Sequence, residues 1–295
     1  MIGATNLLLL LFYHKGKIWR HVCVFCAVFP SFCNNFLHIY TTFGEVFTVL
    51  LKHISTQNGN CYVAIINGES RLIEGDVFGN FVVTERQLDG KEIPFCNPSK
   101  IVALGLNYHK HAEEFGSKPA VEPIIFLKPT TSIVANGEPI VLPKCAEHVE
   151  FEGEIAVVVK STCKGVSVAD APNHILGYTI ANDVTERILQ KRDGQWTRAK
   201  GFDTFCPLGG VLQTELDLSN TLLTTTVNGV EKQRGNSAEM INNVYQALSF
   251  VSGVMTLNPG DVILTGTPQG CSKIASGDVV TISVQNIGSL TNPVK

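Results

Sequence analysis

Short stretches of alternating hydrophobic and polar residues follow one another from residue 61 onward, and glycine or asparagine separates many of them. Alternation with a period of two is typical of β-strands with one buried face, and Asn-Gly pairs are typical of the turns between antiparallel strands. The pattern therefore predicts a mainly β chain. The predicted strands cover residues 62–66, 71–73, 81–83, 101–104, 124–127, 140–142, 155–159, 178–181, 222–227, 231–233, 262–264 and 279–284.

Two segments have helical rather than strand spacing. Ser237 has the chemistry of a helix N-cap, and apolar residues follow it at intervals of three and four, which predicts a helix with one face in the core. A shorter helix is predicted at residues 168–175. The apolar positions of the first helix are Ile241, Val244, Tyr245, Leu248 and Val251.

The first 60 residues do not follow the β pattern. A leucine run at residues 6–12 comes before Lys15, Lys17 and Arg20, whereas a secretory signal has its positive charges before its apolar core. No apolar run reaches the ~20 residues that span a bilayer. Acids are scarce, as in organelle transit segments, but so is arginine. We predict that residues 1–60 are an extension outside the functional fold, either a targeting segment or a gene-model artefact.

Composition limits the classes of protein. The chain has 295 residues with 44% hydrophobic and 17% charged residues, which is enough for a sizeable core in one or two domains. A formal net charge of −3 provides no basic surface for nucleic acid. Nine scattered cysteines are an odd count and predict reduced thiols rather than a disulfide framework. Cys23 and Cys26 form a CxxC, but no second pair stands at zinc spacing, so we interpret it as coincidence.

Two glutamates stand at the start of the apolar strand predicted at 155–159. Glu152 and Glu154 share one face of an extended strand, with Cα atoms roughly 6.5–7 Å apart, so both can reach one cation. Gly153 between them is expected to leave the opposite face open. Asp183 follows the predicted strand 178–181 and supplies a third carboxylate. Three carboxylates without histidine or thiolate favour Mg²⁺, Mn²⁺ or Ca²⁺ over zinc, although solvated acids at a strand end would show the same spacing.

A candidate base follows the predicted strand 101–104. His111 and Glu114 are three residues apart, so they are neighbours if the stretch is helical, and a carboxylate beside a histidine can orient it for proton transfer. An ordinary solvated turn would carry the same two residues. Arg187 and Lys200 come after Asp183, and each taken alone fits a surface cation equally well.

The sequence resembles the fumarylacetoacetate hydrolase superfamily over residues 96–295, most closely its acylpyruvase-like hydrolases and 2-hydroxymuconate-type isomerase/decarboxylases. The resemblance implies a mixed β-sandwich roll of the fumarylacetoacetase C-terminal type, a homodimer, and a divalent cation held by Glu152, Glu154 and Asp183. Residues 61–95 are then a small β lead-in subdomain. The resemblance is carried by ordered blocks at residues 105–114, 126–129, 152–154, 177–190, 196–203, 259–270 and 287–294.

The same resemblance implies roles for six further residues. His111 and Glu114 match a catalytic dyad on a mobile lid, and Lys200 matches a third catalytic group. Substrate contacts match Arg187, Gln190 and Thr267.

The expected substrate is a small 2-oxo or 2,4-dioxo acid, because its carboxylate and ketone oxygens can chelate a cation held by three carboxylates. Hydrolytic carbon–carbon cleavage of acylpyruvates is the favoured reaction. Isomerisation, decarboxylation (of oxaloacetate, for example) and hydration of 2-oxopentenoates stay open, since they share the chelate. A non-enzymatic metal-binding paralogue would not need His111, Glu114 and Lys200 together. We expect no nucleic-acid or membrane partner, and a cytoplasmic protein, or a mitochondrial one if the extension is a transit segment.

Overall fold

A computed structural model describes residues 49–114, 116 and 122–295, together with the backbone of two strands near the N-terminus. These two strands, β1 (Leu7–His14) and β2 (Lys17–Val24), pair antiparallel and form a sheet of their own. The side chains of the extension up to residue 48, including the cysteines of the CxxC, lie outside the described residues. None of the helices in the described ranges has the length and apolar character that a bilayer span requires.

Nineteen further strands follow within the described residues. In chain order they are β3 (Leu50–Thr56), β4 (Gly59–Ile66), β5 (Glu69–Gly75), β6 (Phe81–Gln87), β7 (Lys91–Glu92), β8 (Ile101–Gly105), β9 (Ile124–Lys128), β10 (Ile133–Val134), β11 (Val149–Glu150), β12 (Gly153–Val159), β13 (Ile175–Asn182), β14 (Thr185–Glu186), β15 (Cys206–Pro207), β16 (Val211–Gln213), β17 (Leu222–Val227), β18 (Val230–Asn236), β19 (Val262–Leu264), β20 (Val279–Val284) and β21 (Gly288–Pro293).

Helices are few and short in the described residues. The α-helices are α1 (His109–Glu114), α2 (Arg187–Asp193), α3 (Thr197–Lys200) and α4 (Val244–Val254), and single 3₁₀ turns cover Thr130–Ser132, Ala171–His174 and Ser237–Glu239.

One large mixed sheet organises the fold. Its strands run in the order β6-β5-β4-β3-β16-β13-β12-β19-β8-β9, with β7 paired to β3 at the side. Only β8 and β19 are parallel neighbours in this sheet; the other pairs are antiparallel. A second, antiparallel sheet has the order β18-β17-β20-β21. The mainly β prediction therefore agrees with the structure.

The central strand β12 separates two hydrophobic cores. Ile155, Val157 and Val159 face one core, which the second sheet and α4 close from the other side. Ala156 and Val158 face the other core, which includes residues from β3 to β8. Because both faces are buried, the strand reads as a continuous apolar run rather than an alternating one. The two glutamates at its start are thereby held on a rigid element.

Several predicted elements differ from the structure. Residues 168–175 contain only the 3₁₀ turn Ala171–His174, because Ile175 already begins β13. Residues 140–142 form no strand; Ile140 makes a single bridge to Val294. The helix predicted from Ser237 is divided, since Asn236 caps a 3₁₀ turn and Asn243 caps α4 with a separate capping box.

The boundary predicted at residue 60 falls inside a hairpin. Leu50–Thr56 pairs with β16 on one side and with β4 on the other, and its Leu51 and Ile54 are buried in the core. Strands β4, β5 and β6 extend the same large sheet. The sequence analysis did not detect β3 because its alternating pattern is short and directly follows the atypical extension.

Truncation tests this boundary. A chain that begins at residue 49 should fold, whereas a chain that begins at residue 61 should not fold stably, because it lacks β3. Losing a buried Leu or Ile side chain costs about 2–5 kcal/mol, and two such losses approach the whole stability of about 5–15 kcal/mol of a typical protein. Thermal melts followed by circular dichroism, with the full chain as control, measure the difference. Equal melting temperatures for the two truncated chains would contradict the assignment of β3 to the core.

Candidate active site

The register of β12 and β13 brings three carboxylates together. Gly153 pairs with Asn182, so Glu152 and Asp183 stand opposite each other, and the Asp183 amide donates to the Glu152 carbonyl at 2.9 Å. Residues opposite one another in an antiparallel pair point to the same face, and Glu154 shares it two positions on. One oxygen from each of the three carboxylates lies within 4.8 Å of the others, and all three residues are at most 4% exposed.

The face of β12 behind the carboxylates is filled, contrary to the expectation that Gly153 leaves it open. A Cβ atom at Gly153 would stand 2.4 Å from the Thr225 hydroxyl, so only glycine permits this approach. The Gly153 amide donates to Gln233 at 3.1 Å, and its carbonyl accepts from Thr267 at 2.8 Å. The glycine thus joins β12 to the second sheet and to the loop after β19.

Two buried lysines stand against the carboxylates. The Lys200 ammonium, at the end of α3, donates to Glu152 at 2.9 Å, to Asp183 at 2.7 Å and to the Thr185 hydroxyl at 2.8 Å. Lys128, at the end of β9, donates to the other oxygen of Asp183 at 2.5 Å and to the Lys200 carbonyl at 2.6 Å. Lys128 therefore orients both Asp183 and Lys200. The sequence analysis missed it, although it stands in one of the family blocks.

Burial and neighbouring charges shift the pKa values of Glu152, Lys200 and Glu154. Burial raises the pKa of Glu152, but Lys200 and then Arg187 outweigh burial and hold that pKa well below its usual range. Burial lowers the pKa of Lys200, but Asp183 and Glu152 outweigh it and raise the pKa. Burial raises the pKa of Glu154 well above its usual range, and the charges of Asp183 and Glu152 add to this effect. Glu154 is thus protonated more readily than Glu152.

One oxygen of Glu154 lacks a partner within the described residues. Its Oε2 accepts from the Gly266 amide at 2.6 Å, whereas Oε1 is buried without a hydrogen bond. A buried carboxylate oxygen without a partner is costly. A divalent cation would satisfy this oxygen and screen the repulsion among the three acids, and oxygen donors of this kind suit Mg²⁺, Mn²⁺ and Ca²⁺. The donor set therefore fits the expected cation.

His111 and Glu114 lie on α1 and are in contact. The His111 Nδ1 atom is 3.3 Å from a Glu114 carboxylate oxygen, and the same carboxylate accepts from the Gly270 amide at 3.0 Å. Burial lowers the pKa of His111, although nearby Glu152 opposes this shift. The imidazole is therefore neutral near pH 7 and able to accept a proton. The resemblance implies that these two residues lie on a mobile lid; residues 115 and 117–121, which come next, lie outside the described residues.

Arg187 is held by two acids and a glutamine. Its Nε donates to Glu150 at 2.6 Å, and its Nη1 is 2.6 Å from Glu152 and 3.0 Å from the Gln190 side-chain oxygen. Gln190 is one turn along α2, so both side chains reach the same side of the helix. Burial lowers the pKa of Arg187, but Glu152 and Glu150 reverse this and raise it. Glu150, at the end of β11, positions the guanidinium, and the sequence analysis did not include it among the site residues.

These side chains line one cleft of about 640 Å³. Seven of the nine predicted site residues form its walls, and Glu114 and Asp183 are not among the lining residues. Thr267 is in the wall, but its hydroxyl is already bonded to Gly153 and to the Gln233 amide, each at 2.8 Å. The nine assigned roles stay predictions. The seven lining residues are His111, Glu152, Glu154, Arg187, Gln190, Lys200 and Thr267.

Aromatic side chains enclose the Lys200 end of the cleft. The Lys200 ammonium is 4.8 Å from the centroid of the Phe126 ring and 5.9 Å from that of Trp196. Gly105 leaves the space that Trp196 occupies, since a Cβ there would stand 2.6 Å from the indole. Cation–π contacts stabilise a charged ammonium away from water. Lys200 is therefore held as a cation at a fixed place in the wall.

Comparison with known sequences identifies the family of this chain. Residues 100–295 match the family model of the fumarylacetoacetate (FAA) hydrolase C-terminal domain, so the chain belongs to this family. The family membership and the mainly β fold predicted from the sequence are thereby confirmed.

Three named relatives carry different activities. A solved 5-carboxymethyl-2-hydroxymuconate delta-isomerase from Mycobacterium smegmatis is 44% identical with a TM-score of 0.78, and the match covers 83% of this chain and 98% of that one. The mitochondrial oxaloacetate tautomerase fahd2 of Xenopus laevis is 39% identical over 213 residues, 68% of this chain and 67% of that protein. A fumarylpyruvate hydrolase from Pseudomonas aeruginosa, solved with Mn²⁺ and pyruvate, is 26% identical with a TM-score of 0.65. That match covers 70% of this chain and 92% of the hydrolase.

The protonation of Glu154 gives a test of the carboxylate cluster. Because its pKa is raised in the fold, ionising Glu154 costs stability, and this cost is absent at low pH and grows as the pH rises above the unfolded value near 4.3. Glu154→Gln removes the titration and offers an amide donor to the facing acids. We expect a higher melting temperature than wild type at pH 7 in chelator.

The same variant should lose stabilisation by cations. Mn²⁺ should raise the melting temperature of wild type, since a ligand of the folded state stabilises it, but not that of Glu154→Gln. The exposed Glu147→Gln is the matched control and should behave like wild type in both measurements. A lower melting temperature for Glu154→Gln in chelator, or an undiminished Mn²⁺ effect, would contradict the assignment.

Proposed function

We propose that this protein is a divalent-metal-dependent enzyme that hydrolyses a carbon–carbon bond of acylpyruvates to give pyruvate and a carboxylic acid. The single observation that carries the proposal is a neutral histidine, oriented by a carboxylate, at the same cleft as three clustered carboxylates and a fixed lysine. A base near a cation site is what water activation next to a chelated substrate requires.

Glu152, Glu154 and Asp183 would hold the cation, with Mg²⁺ or Mn²⁺ favoured by the all-oxygen donor set. When bound, the cation supplies Lewis-acid polarisation of the 2-oxo group. Support comes from the Mn²⁺ and pyruvate in the solved fumarylpyruvate hydrolase from Pseudomonas aeruginosa.

The chain's own residues would carry the proton transfers. His111 takes a proton from water as the water oxygen attacks the C4 carbonyl, and Glu114 stabilises the imidazolium. The C3–C4 bond then breaks, and its electron pair moves onto C3 as an enolate. The Lys200 ammonium stabilises the charge that develops on the enolate oxygen. Imidazolium returns its proton to C3, which completes pyruvate.

Arg187 and Gln190 would orient the substrate. Their side chains line the cleft beside Glu152, and a guanidinium with fixed geometry suits a carboxylate. Phe126 and Trp196 exclude water from the Lys200 side, which strengthens the electrostatic interactions there.

Tautomerisation or isomerisation of a 2-oxo acid is the second candidate. It is supported by the names of the Mycobacterium smegmatis isomerase and the Xenopus laevis tautomerase, which are more similar in sequence than the hydrolase. The same enolate would form by loss of a proton from C3 rather than by cleavage. Decarboxylation of oxaloacetate and hydration of a 2-oxopentenoate use the same enolate and belong to this second class.

A substrate panel distinguishes the two candidates. Acylpyruvates, oxaloacetate and muconate-type oxo acids are each incubated with the enzyme and Mg²⁺ or Mn²⁺. Coupled detection of pyruvate, measurement of CO₂ and the ultraviolet absorbance of the enol then separate cleavage, decarboxylation and tautomerisation. We expect pyruvate from acylpyruvates, and turnover should stop in chelator.

The role of His111 is tested by His111→Ala on one preparation with both classes of substrate. A general base contributes about 10²–10⁴-fold, so acylpyruvate hydrolysis should fall by that factor, whereas decarboxylation of oxaloacetate, which needs no water attack, should fall far less. Bound Mn²⁺ is measured in the same samples so that a lost cation is not mistaken for a lost base. Equal losses in both reactions would mean that protonation of C3, which both reactions need, is the step that depends on His111, rather than the attack by water.

A homodimer is also proposed. Within the described residues β9 is an edge strand of the large sheet, and its Ile124 and Leu127 are 41% and 49% exposed. Exposed apolar residues on an edge strand favour a contact with a second copy. Light scattering should show a dimer for wild type and a monomer for Leu127→Glu. A dimer for both proteins would exclude β9 as the dimer contact.

A further inference from the structure

A second group of potential cation ligands shares Glu152 with the carboxylate cluster. His111 of α1, Glu152 before β12 and Cys271 after β19 each present one ligand atom, and these atoms lie within 4.8 Å of one another. The three residues come from separate segments of the chain, so their meeting depends on the fold. The reaction proposed above assigns no role to Cys271.

The surroundings of Cys271 orient its sulfur. The Gln233 amide donates to the sulfur at 3.3 Å, and Gln233 is itself fixed by the Thr225 hydroxyl at 2.9 Å and by Thr267. Burial raises the pKa of Cys271, whereas the Arg187 guanidinium opposes this shift. On the other side, Glu114 holds the His111 ring. Outer partners of this kind fix the orientation of ligands around a metal ion.

We propose that His111, Glu152 and Cys271 form a second cation site, selective for thiophilic divalent ions such as Zn²⁺. Nitrogen, oxygen and sulfur donors together match the preferences of zinc, which the all-carboxylate cluster does not. Ligands around tetrahedral zinc are about 3.5 Å apart, so side-chain rotations that bring the atoms closer by about 1 Å complete the site. The Cys271 thiol releases its proton to solvent as the sulfur–metal bond forms.

Occupation of this site should inhibit the enzyme. The ion takes a ring nitrogen of the proposed base and an oxygen of Glu152, which also belongs to the carboxylate cluster. Mg²⁺ and Mn²⁺ bind thiolates weakly and would leave Cys271 unoccupied. The cleft would then distinguish activating hard cations from inhibitory soft ones.

Cobalt spectroscopy tests the site independently of the proposed reaction. Co²⁺ is added to the full chain in the presence of excess Mg²⁺, and the near-ultraviolet thiolate-to-Co²⁺ charge-transfer band is recorded. Carboxylates give no such band. We expect the band in wild type, its loss in Cys271→Val, which keeps the side-chain size without a donor, and its loss in Cys271→Ser. Two replacements are used so that a folding defect in one does not end the test.

Controls separate Cys271 from the other thiols. Cys145→Ser removes an exposed cysteine and should keep the band, and both Cys271 variants retain the cysteines of the N-terminal extension. Calorimetry with Zn²⁺ in excess Mg²⁺ should show affinity reduced at least about 10- to 100-fold in Cys271→Val, the loss found when even an outer partner of a ligand is removed. A band of equal intensity in wild type and both Cys271 variants would overturn the proposal.

The activity measurement then tests inhibition. Zn²⁺ should inhibit wild type in excess Mg²⁺, chelation should restore turnover, and the Zn²⁺ concentration for half inhibition should rise at least about 10-fold in Cys271→Val relative to its own uninhibited rate. Inhibition with the same concentration dependence in wild type and variant would exclude the site as its cause. If no substrate is turned over, the proposed reaction is rejected. The cobalt band still shows whether Cys271 binds the ion at the second site.

Discussion

The pairing of β12 with β13 places three carboxylates side by side in the interior, and most of the surrounding structure offsets their repulsion. Burying a charged group costs several kcal/mol even after relaxation, and like charges add to this cost. Lys200, Lys128 and Arg187 each contact one or two of these acids. Glu154 keeps an oxygen without a hydrogen bond, and a further positive charge would be most stabilising beside this oxygen.

The sequence predicts the carboxylate cluster well because its geometry is local. Strand periodicity places Glu152 and Glu154 on one face, and a single hairpin-like pairing adds Asp183. The contacts of His111 with Glu114 also follow from spacing along one helical turn. By contrast, the places of Lys128 and Glu150 in the site depend on which strands become neighbours. From the sequence alone, a lysine after an apolar strand is interpreted as a solvated surface charge.

The same limit explains why the sequence analysis missed β3. β3 was assigned to the extension because a short strand beside an atypical segment carries little signal, and only its pairing with β16, more than 150 residues later, makes it part of the core. His111 and Cys271 are far from Glu152 in the sequence. The fold nevertheless brings His111 and Cys271 to Glu152 from both sides.

Glu114 makes two contacts that connect different parts of the protein. One joins it to His111, and the other joins it to the Gly270 amide in the loop that carries Thr267 and Cys271. Movement of α1 away from that loop would break the contact with Gly270 but not the contact with His111, which lies on the same helix. The carboxylate that docks α1 on this loop is therefore the same one that holds the His111 ring, so a single side chain links the position of the helix to the orientation of the histidine.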